Sequence, residues 1–317
     1  MEPARPSEVS PGAGAPETSA ARDGLTGDDR RRSTIVELKG GRVFGLREYG
    51  APDGRPVIAL HGTPGSRFKF ASAHASASRL GLRLISLDRW GYGLSSHRPG
   101  ARLSDFATDV GELADKLGLA RFRVVAISGG APFAAAIAAT RPERVIALAL
   151  VSPVGPIAGV VPRPDLSVFH FLCFRVLPFV PGVIPLAFNM FRVGLRVAPA
   201  AALAVATSRS AVDRLTIGDP EVREHLAKTF GEGLEPGTMG VKTDMDLFAR
   251  PWGVDLLRAD MPARIWIGTV DRNVPLDAAR WLARTLPRCE LTELDGAGHL
   301  WVSRNSSEVM TWLAAAG

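Results

Sequence analysis

Three turns of this chain carry a serine, an aspartate and a histidine in positions where acyl-transfer chemistry could be assembled. Ser128 lies in Val124-Val125-Ala126-Ile127-Ser128-Gly129-Gly130-Ala131, which passes from an apolar run into the Ala-rich stretch Pro132 to Thr140. At such a sharp strand-to-helix turn a serine projects its hydroxyl above the sheet edge, and small residues two before and two after it let strand and helix approach closely. The pattern is G-x-S-x-G with Ala126 in place of the first glycine and Gly130 kept. A hydroxyl is a poor nucleophile until a base takes its proton and a third group orients that base. Asp271 follows the run Ile265-Trp266-Ile267-Gly268, just before Pro275 starts a helix, and His299 closes Gly296-Ala297-Gly298-His299 after the strand-like Glu290 to Leu294. Taken singly, a Ser-Gly-Gly turn, a turn-capping aspartate and a loop histidine are ordinary, and Asp295 is a rival carboxylate. Together they fall at the carboxyl ends of strands, where ligands bind in open α/β sheets. Ser128, Asp271 and His299 are therefore the expected catalytic residues. A tetrahedral intermediate also needs donors for its oxyanion. The Gly-rich turn Leu60-His61-Gly62-Thr63-Pro64-Gly65-Ser66 offers the Thr63 N–H, to be paired with the Gly129 N–H.

The elements that must position these groups are legible as periodicity. Ile35 to Leu38 and Val43 to Leu46 flank Lys39-Gly40-Gly41-Arg42, which predicts a hairpin with a two-residue Gly-Gly turn. Apolar runs at Val57 to Leu60, Leu84 to Leu87, Phe122 to Ile127, Val145 to Val151 and Ile265 to Gly268 lack alternation, as strands covered on both faces do. Leu103, Phe106, Val110, Leu113 and Leu117 recur at helical spacing, with Ser104 expected as the N-cap. Strand and helix alternate, so the fold class is α/β with a mostly parallel, doubly wound sheet. About a hundred residues separate the run ending near Pro153 from that starting near Ile265, whereas a crossover needs only about a dozen. An inserted helical cap is the economical explanation. The expected organisation is a disordered tail over residues 1–33, core over 34–155, cap over 156–255 and core again over 256–317. The first half of the cap holds Phe169, Phe171, Phe174, Phe179, Phe188 and Phe191, broken by Pro178, Pro181, Pro185, Arg175 and Arg192. That stretch is too interrupted for a membrane span of roughly twenty apolar residues. Its rings predict an apolar roof, with Phe169 and Phe174, together with His61 and Trp252, as candidate substrate contacts.

Composition excludes several classes. The 317 residues are 46% apolar, which is not the composition of a disordered chain. Two cysteines, Cys173 and Cys289, cannot build a disulfide framework and point to a reducing compartment. The net charge of +6 comes from scattered arginines, without the basic, aromatic-interleaved stripe that would track a phosphate backbone, so no nucleic-acid partner is expected. Residues 1–32 contain no Phe, Trp, Tyr or Ile and include six acidic residues, which argues against a signal or transit peptide and predicts a cytoplasmic protein without stable membrane insertion. No pair among His61, His74, His97, His170, His225 and His299 has helical ligand spacing, so no metal is expected.

His61-Gly62-Thr63-Pro64-Gly65-Ser66, Asp88-Arg89-Trp90-Gly91-Tyr92-Gly93-Leu94-Ser95, the Ser128 turn, Asp271 and Gly298-His299 resemble the α/β-hydrolase fold family, in its lid-bearing HGxPG subgroup of bacterial serine hydrolases. The order serine, acid, histidine is the one expected there. The resemblance spans residues 34–317 and extends to Gly240 to Trp252, including Asp244; Ala126 and Trp90, usually Pro in related sequences, are the departures. It implies a cofactor-free serine hydrolase acting on a small, apolar ester or related acyl compound through an acyl-enzyme. Ser128 excludes the relatives that use aspartate as nucleophile. A receptor on the same fold, or a lyase or cofactor-free oxygenase using His299 and Asp271 as a base pair, are the alternatives. Oligomeric state is not expressed in the sequence.

Overall fold

Short apolar runs separated by amphipathic stretches fold here as a sheet between helices. The computed structural model describes residues 33–317 apart from 159, 163–165 and 208, so the tail expected over 1–33 lies outside the described residues except for Ser33. In chain order the elements are β1 (Thr34–Glu37), β2 (Val43–Gly50), β3 (Arg55–Leu60), α1 (His74–Arg79), β4 (Leu82–Leu87), α2 (Leu103–Lys116), β5 (Phe122–Ile127), α3 (Ala131–Thr140) and β6 (Val145–Val151). An insertion follows: α4 (Val168–Phe171), α5 (Val183–Val197), α6 (Pro199–Ala206), α7 (Ala211–Gly218), α8 (Pro220–Gly233) and α9 (Met239–Phe248). The chain then returns to the sheet with β7 (Ala263–Gly268), α10 (Leu276–Thr285), β8 (Cys289–Leu294) and α11 (Val302–Ala315).

The sheet order is β1-β2-β4-β3-β5-β6-β7-β8, with β1 and β2 antiparallel and every pair from β4 onward parallel. Successive strand residues point to opposite faces, and both faces are filled. Ile58, Leu60, Val124, Leu148 and Ile265 pack toward α2, α3 and α10, while Val57, Ala59, Val125, Ala149 and Trp266 pack toward α1 and α11. This double burial explains the absence of alternation in the strand sequences.

Two local expectations are corrected. The hairpin turns over Lys39, Gly40 and Gly41, one residue longer than expected, closed by Leu38 N–H donating to Arg42 O at 2.6 Å; the glycines take φ of 76° and 75°, a region costly to side chains with a Cβ. Ser104 is not the cap of α2. The helix starts at Leu103, and Asp105 Oδ2 accepts the Arg102 N–H at 2.7 Å, so the acidic residue does the capping from inside the first turn. Trp90 turns inward, 5.1 Å from the Phe106 ring and with Nε1 donating to Asp109 at 3.2 Å. Among the described residues no single helix is long and apolar enough to cross a membrane.

Candidate active site

The strand β5 ends in a buried run, and the chain must reverse direction at once to lay α3 back on the sheet. Ser128 makes the turn with φ of 52°, a conformation that costs a non-glycine residue about 1–3 kcal/mol unless its surroundings hold it. They do: Val154 N–H donates to Ser128 O at 3.1 Å, and a short 3-10 turn over Ser128–Gly130 runs directly into α3. Gly130 is required by proximity, since a Cβ there would stand 2.7 Å from His61 O and 2.8 Å from Leu60 O. Ala126, the departure from the usual glycine, is fully buried with its methyl in the core.

Beyond β7 and β8 two loops are laced together. Thr269 N–H donates to Leu294 O at 3.0 Å, Val270 N–H to Ala297 O at 3.2 Å, and Gly296 N–H to Thr269 Oγ1 at 3.0 Å. This lacing carries His299 to Ser128: Nε2 lies 3.1 Å from Ser128 Oγ, and Nδ1 lies 2.8 Å from Asp271 Oδ2. Asp271 Oδ1 accepts the Asn273 and Val274 N–H groups at 2.8 and 3.2 Å. Burial would push the Asp271 carboxyl up, but the charge and hydrogen bond of His299 and the two amides bring it below its ordinary value. Burial would push the His299 imidazole down, but the charge and hydrogen bond of Asp271, followed by the charge of Asp213, raise it. Among the described residues Asp295, the rival acid, accepts only from Thr269 Oγ1, at 3.4 Å.

Asp213 was not among the sequence candidates. It sits on α7, in the insertion, is 1% exposed, and accepts the N–H groups of His299 at 3.2 Å and Leu300 at 2.9 Å. A Cβ on Gly298 would be 2.9 Å from its Cγ, so the glycine before His299 makes room for this carboxylate. Nothing in the sequence signals the role, because α7 is 86 residues away from the backbone it holds.

The turn after β3 is gripped in the same manner. Thr63 Oγ1 donates to Asp244 Oδ2 at 2.5 Å, and Asp244, on α9, also accepts from Tyr92 OH at 2.6 Å and from both Arg89 amino groups at 2.5 and 2.8 Å. Arg89, fully buried, extends the grip to Gly62 O at 2.9 Å and His61 O at 3.1 Å. A bidentate pair satisfied on this many sides can exist without water, whereas removing one partner strands the other charge, at a cost of about 3–5 kcal/mol. Thr63 is held against Gly129, where a Cβ would collide with the threonine hydroxyl and meet Phe248 Cζ at 3.0 Å. Among the described residues no backbone acceptor takes the Thr63 N–H, and the Gly129 N–H stands in a first helical turn, where donors lack intrahelical partners.

The four candidate substrate contacts separate. His61 is fully buried, with Nδ1 donating to Gly62 O at 2.7 Å and Nε2 accepting the Arg89 N–H at 3.0 Å. Burial and the Arg89 charge hold it well below the usual histidine range, so it is a neutral strut of the turn with both nitrogens used, not a group facing a substrate. Trp252 is 7% exposed and packed in the core. Phe174 is also buried, 6.4 Å from Phe248, and so stands one ring behind the residue that meets Gly129. Phe169 is half-buried beneath the Arg209 guanidinium at 3.4 Å. Phe179, in contrast, is 59% exposed and turns away from any roof.

Strand order, a serine at the β5 turn and acid and histidine loops after β7 and β8 define an α/β-hydrolase architecture. The sequence profile of the α/β hydrolase fold matches residues 55–175. A solved α/β hydrolase fold protein from Nakamurella multipartita superposes with a TM-score of 0.67 at 25% identity, covering 90% of this chain and 100% of that one. The non-heme chloroperoxidase of Streptomyces lividans is 28% identical over 280 residues, 84% of this chain and 92% of its own length. The sn-1-specific diacylglycerol lipase ABHD11 of Mus musculus is 36% identical over 106 residues, so the match spans about a third of each, 32% here and 34% there. The fold is the α/β hydrolase fold, and the chain is similar in sequence to that family over residues 55–175.

Proposed function

We propose that this chain is a serine hydrolase cleaving an ester or related acyl bond of a small apolar substrate, with α4–α9 as its cap. The observation that carries the reading is the continuous hydrogen-bonded line Ser128 Oγ, His299 Nε2, His299 Nδ1, Asp271 Oδ2, at 3.1 and 2.8 Å. Ser128 attacks the carbonyl as His299 takes its proton; the oxyanion is held by the Thr63 and Gly129 N–H groups; His299 then returns the proton to the leaving group. Water, activated by the same imidazole, releases the acyl group. Asp271 fixes the tautomer that presents a lone pair to Ser128, and its charge stabilises the imidazolium. Every group required is supplied by the chain, so no cofactor enters the reading.

A screen of ester, thioester, lactone and amide substrates of graded acyl length tests it. Phe248 against Gly129, with Phe174 behind it, makes the wall near the nucleophile apolar. Each buried methylene is worth about 0.8 kcal/mol, so lengthening the acyl chain from two to four carbons is expected to raise kcat/KM roughly tenfold, with charged acyl groups poor. Acetyl esters outrunning butyryl esters would remove the apolar wall from the proposal. The long match to a chloroperoxidase favours one second reading, in which hydrogen peroxide replaces water in attacking the acyl-serine and yields a peracid. Peracid formation from ester and peroxide, lost in Ser128→Ala, distinguishes it.

The pH profile follows from the charges. His299 must be neutral to act as base, and its pKa is raised above the ordinary 6.5, so kcat/KM falls as pH drops through a limb lying above that value. Asp213→Asn removes a carboxylate that raises the imidazole and leaves one of two backbone amides without its acceptor. The limb is expected to move to lower pH while kcat drops, by about a hundredfold for a displacement of the imidazole near 1 Å. An unchanged limb would reduce Asp213 to a structural contact.

A further inference from the structure

The α5 helix is apolar nearly all round. Its inward stripe is Ile184, Phe188, Phe191 and Leu195, buried or packed on the core. A second stripe with the same 4, 3, 4 spacing faces outward: Leu186 at 63% exposed, Met190 at 69%, Val193 at 55% and Val197 at 80%. Residues so spaced share one helix face. Between the stripes runs a narrow edge of Asn189, Arg192 and Arg196, the only polar side chains of the helix. Exposed apolar side chains flank the helix in the elements packed on it: Phe179 and Val180, 59% and 39% exposed, at the bend before α5, and Val205, 75% exposed, on α6. The segments 168–179 and 183–197 meet at 111°, so they present two legs along a surface.

Charge narrows the choice of what covers this face. Residues 166–212 contain Arg175, Arg192, Arg196 and Arg209 and no Asp, Glu or Lys. Arg175 is turned onto Ile157 O and Val161 O and Arg209 onto Arg272 O, so a second copy docked face to face would set the Arg192 and Arg196 edges against each other, with Glu235, already paired to Arg196, as the acid at that rim, which disfavours that contact. Residues 1–32 offer only Met1, Val9 and Leu25 as large apolar side chains, too few to cover the two legs. An anionic lipid surface answers both features: apolar side chains enter the acyl boundary while arginine heads at the helix edge reach the phosphates. Arg196, 55% exposed and 2.6 Å from Glu235 at the rim, is placed for such an exchange.

We propose that the outward face of α5, with the bend before it and α6 beside it, docks the protein on anionic phospholipid bilayers, lying in the interface without spanning it. The docking uses no residue of the Ser128 site and stands apart from the hydrolase reading. The experiment is co-sedimentation of the full-length protein with vesicles of phosphatidylglycerol and phosphatidylcholine, compared with phosphatidylcholine alone, across a salt series. Binding to the anionic vesicles that weakens with salt is expected. Met190→Asp with Val193→Asp is expected to reduce it at least tenfold, and Arg192→Gln with Arg196→Gln to remove the preference for anionic lipid. Ser128→Ala should bind as wild type, and the face variants should keep wild-type turnover of a soluble short-chain substrate and wild-type Tm. No sedimentation with any vesicle, or equal sedimentation of the Met190 and Val193 variants, overturns the proposal. So does a concentration-dependent dimer abolished by the same variants, since a second copy would then cover the face.

Discussion

Ser128→Ala is expected to lower kcat by about a millionfold, the scale seen when a serine hydrolase loses its nucleophile, and to abolish labelling by a fluorophosphonate probe. The argument is local. Oγ is the hydroxyl within hydrogen-bonding distance of the His299 imidazole, and the residue is only partly buried, so a reagent can reach it. Removing the oxygen leaves the 52° turn to be held by an alanine, which accepts that φ no better than serine, while Val154 N–H still finds its carbonyl. Fold should survive and chemistry should not. Peptide mapping by mass spectrometry checks the assignment, and a label on any other residue would overturn it.

Asp271→Asn is expected to lower kcat about ten-thousandfold with Tm nearly unchanged. Asparagine can keep the two backbone hydrogen bonds, because its Oδ1 can still accept the Asn273 and Val274 N–H groups. Its amide NH2 must then face His299 Nδ1, turning that nitrogen into an acceptor. The ring proton moves to Nε2 and points at Ser128 Oγ, so the base is already occupied. Asp295→Asn loses no more than one long contact to Thr269 and should leave kcat near wild type. Reversal of the two effects would transfer the orienting role to Asp295.

The sequence shows where these groups stand better than it shows what holds them. The strand ends that carry Ser128 and Asp271 are readable because buried parallel strands leave continuous apolar runs, whereas β8 before His299 is an edge strand read from its alternation; the residues following each strand must lie at one edge of the sheet. The Ala126 departure is readable as tolerable for the same reason, one methyl in an already apolar layer. What is not readable depends on partners far along the chain. Asp213 on α7 looks like any helical acid until its carboxylate meets the His299 loop, and Gly298 before the histidine gives only the need for space, not what fills it. His61 misleads because it stands in a functional turn, yet its nitrogens are consumed by Gly62 and Arg89. The six phenylalanines read alike in composition, but helix rotation sends Phe174 inward and Phe179 to solvent. At α2 the error is one of capping chemistry: Ser104 has the preferred cap type, but Asp105 supplies the acceptor from one residue further on.

The two acids that reach down from the insertion divide it mechanically. Asp213 ties α7 to the histidine loop and Asp244 ties α9 to the Thr63 turn, so neither helix can swing without dismantling the machinery beneath it or stranding the Arg89 charge. Among the described residues, α5 and α6 make no comparable polar anchor to the sheet and lean on α8 and α9 through apolar contact. The fixed points of the insertion are therefore α7 and α9, and a change of charge at either carboxylate is felt at a catalytic turn, at the histidine loop through Asp213 and at the Thr63 turn through Asp244.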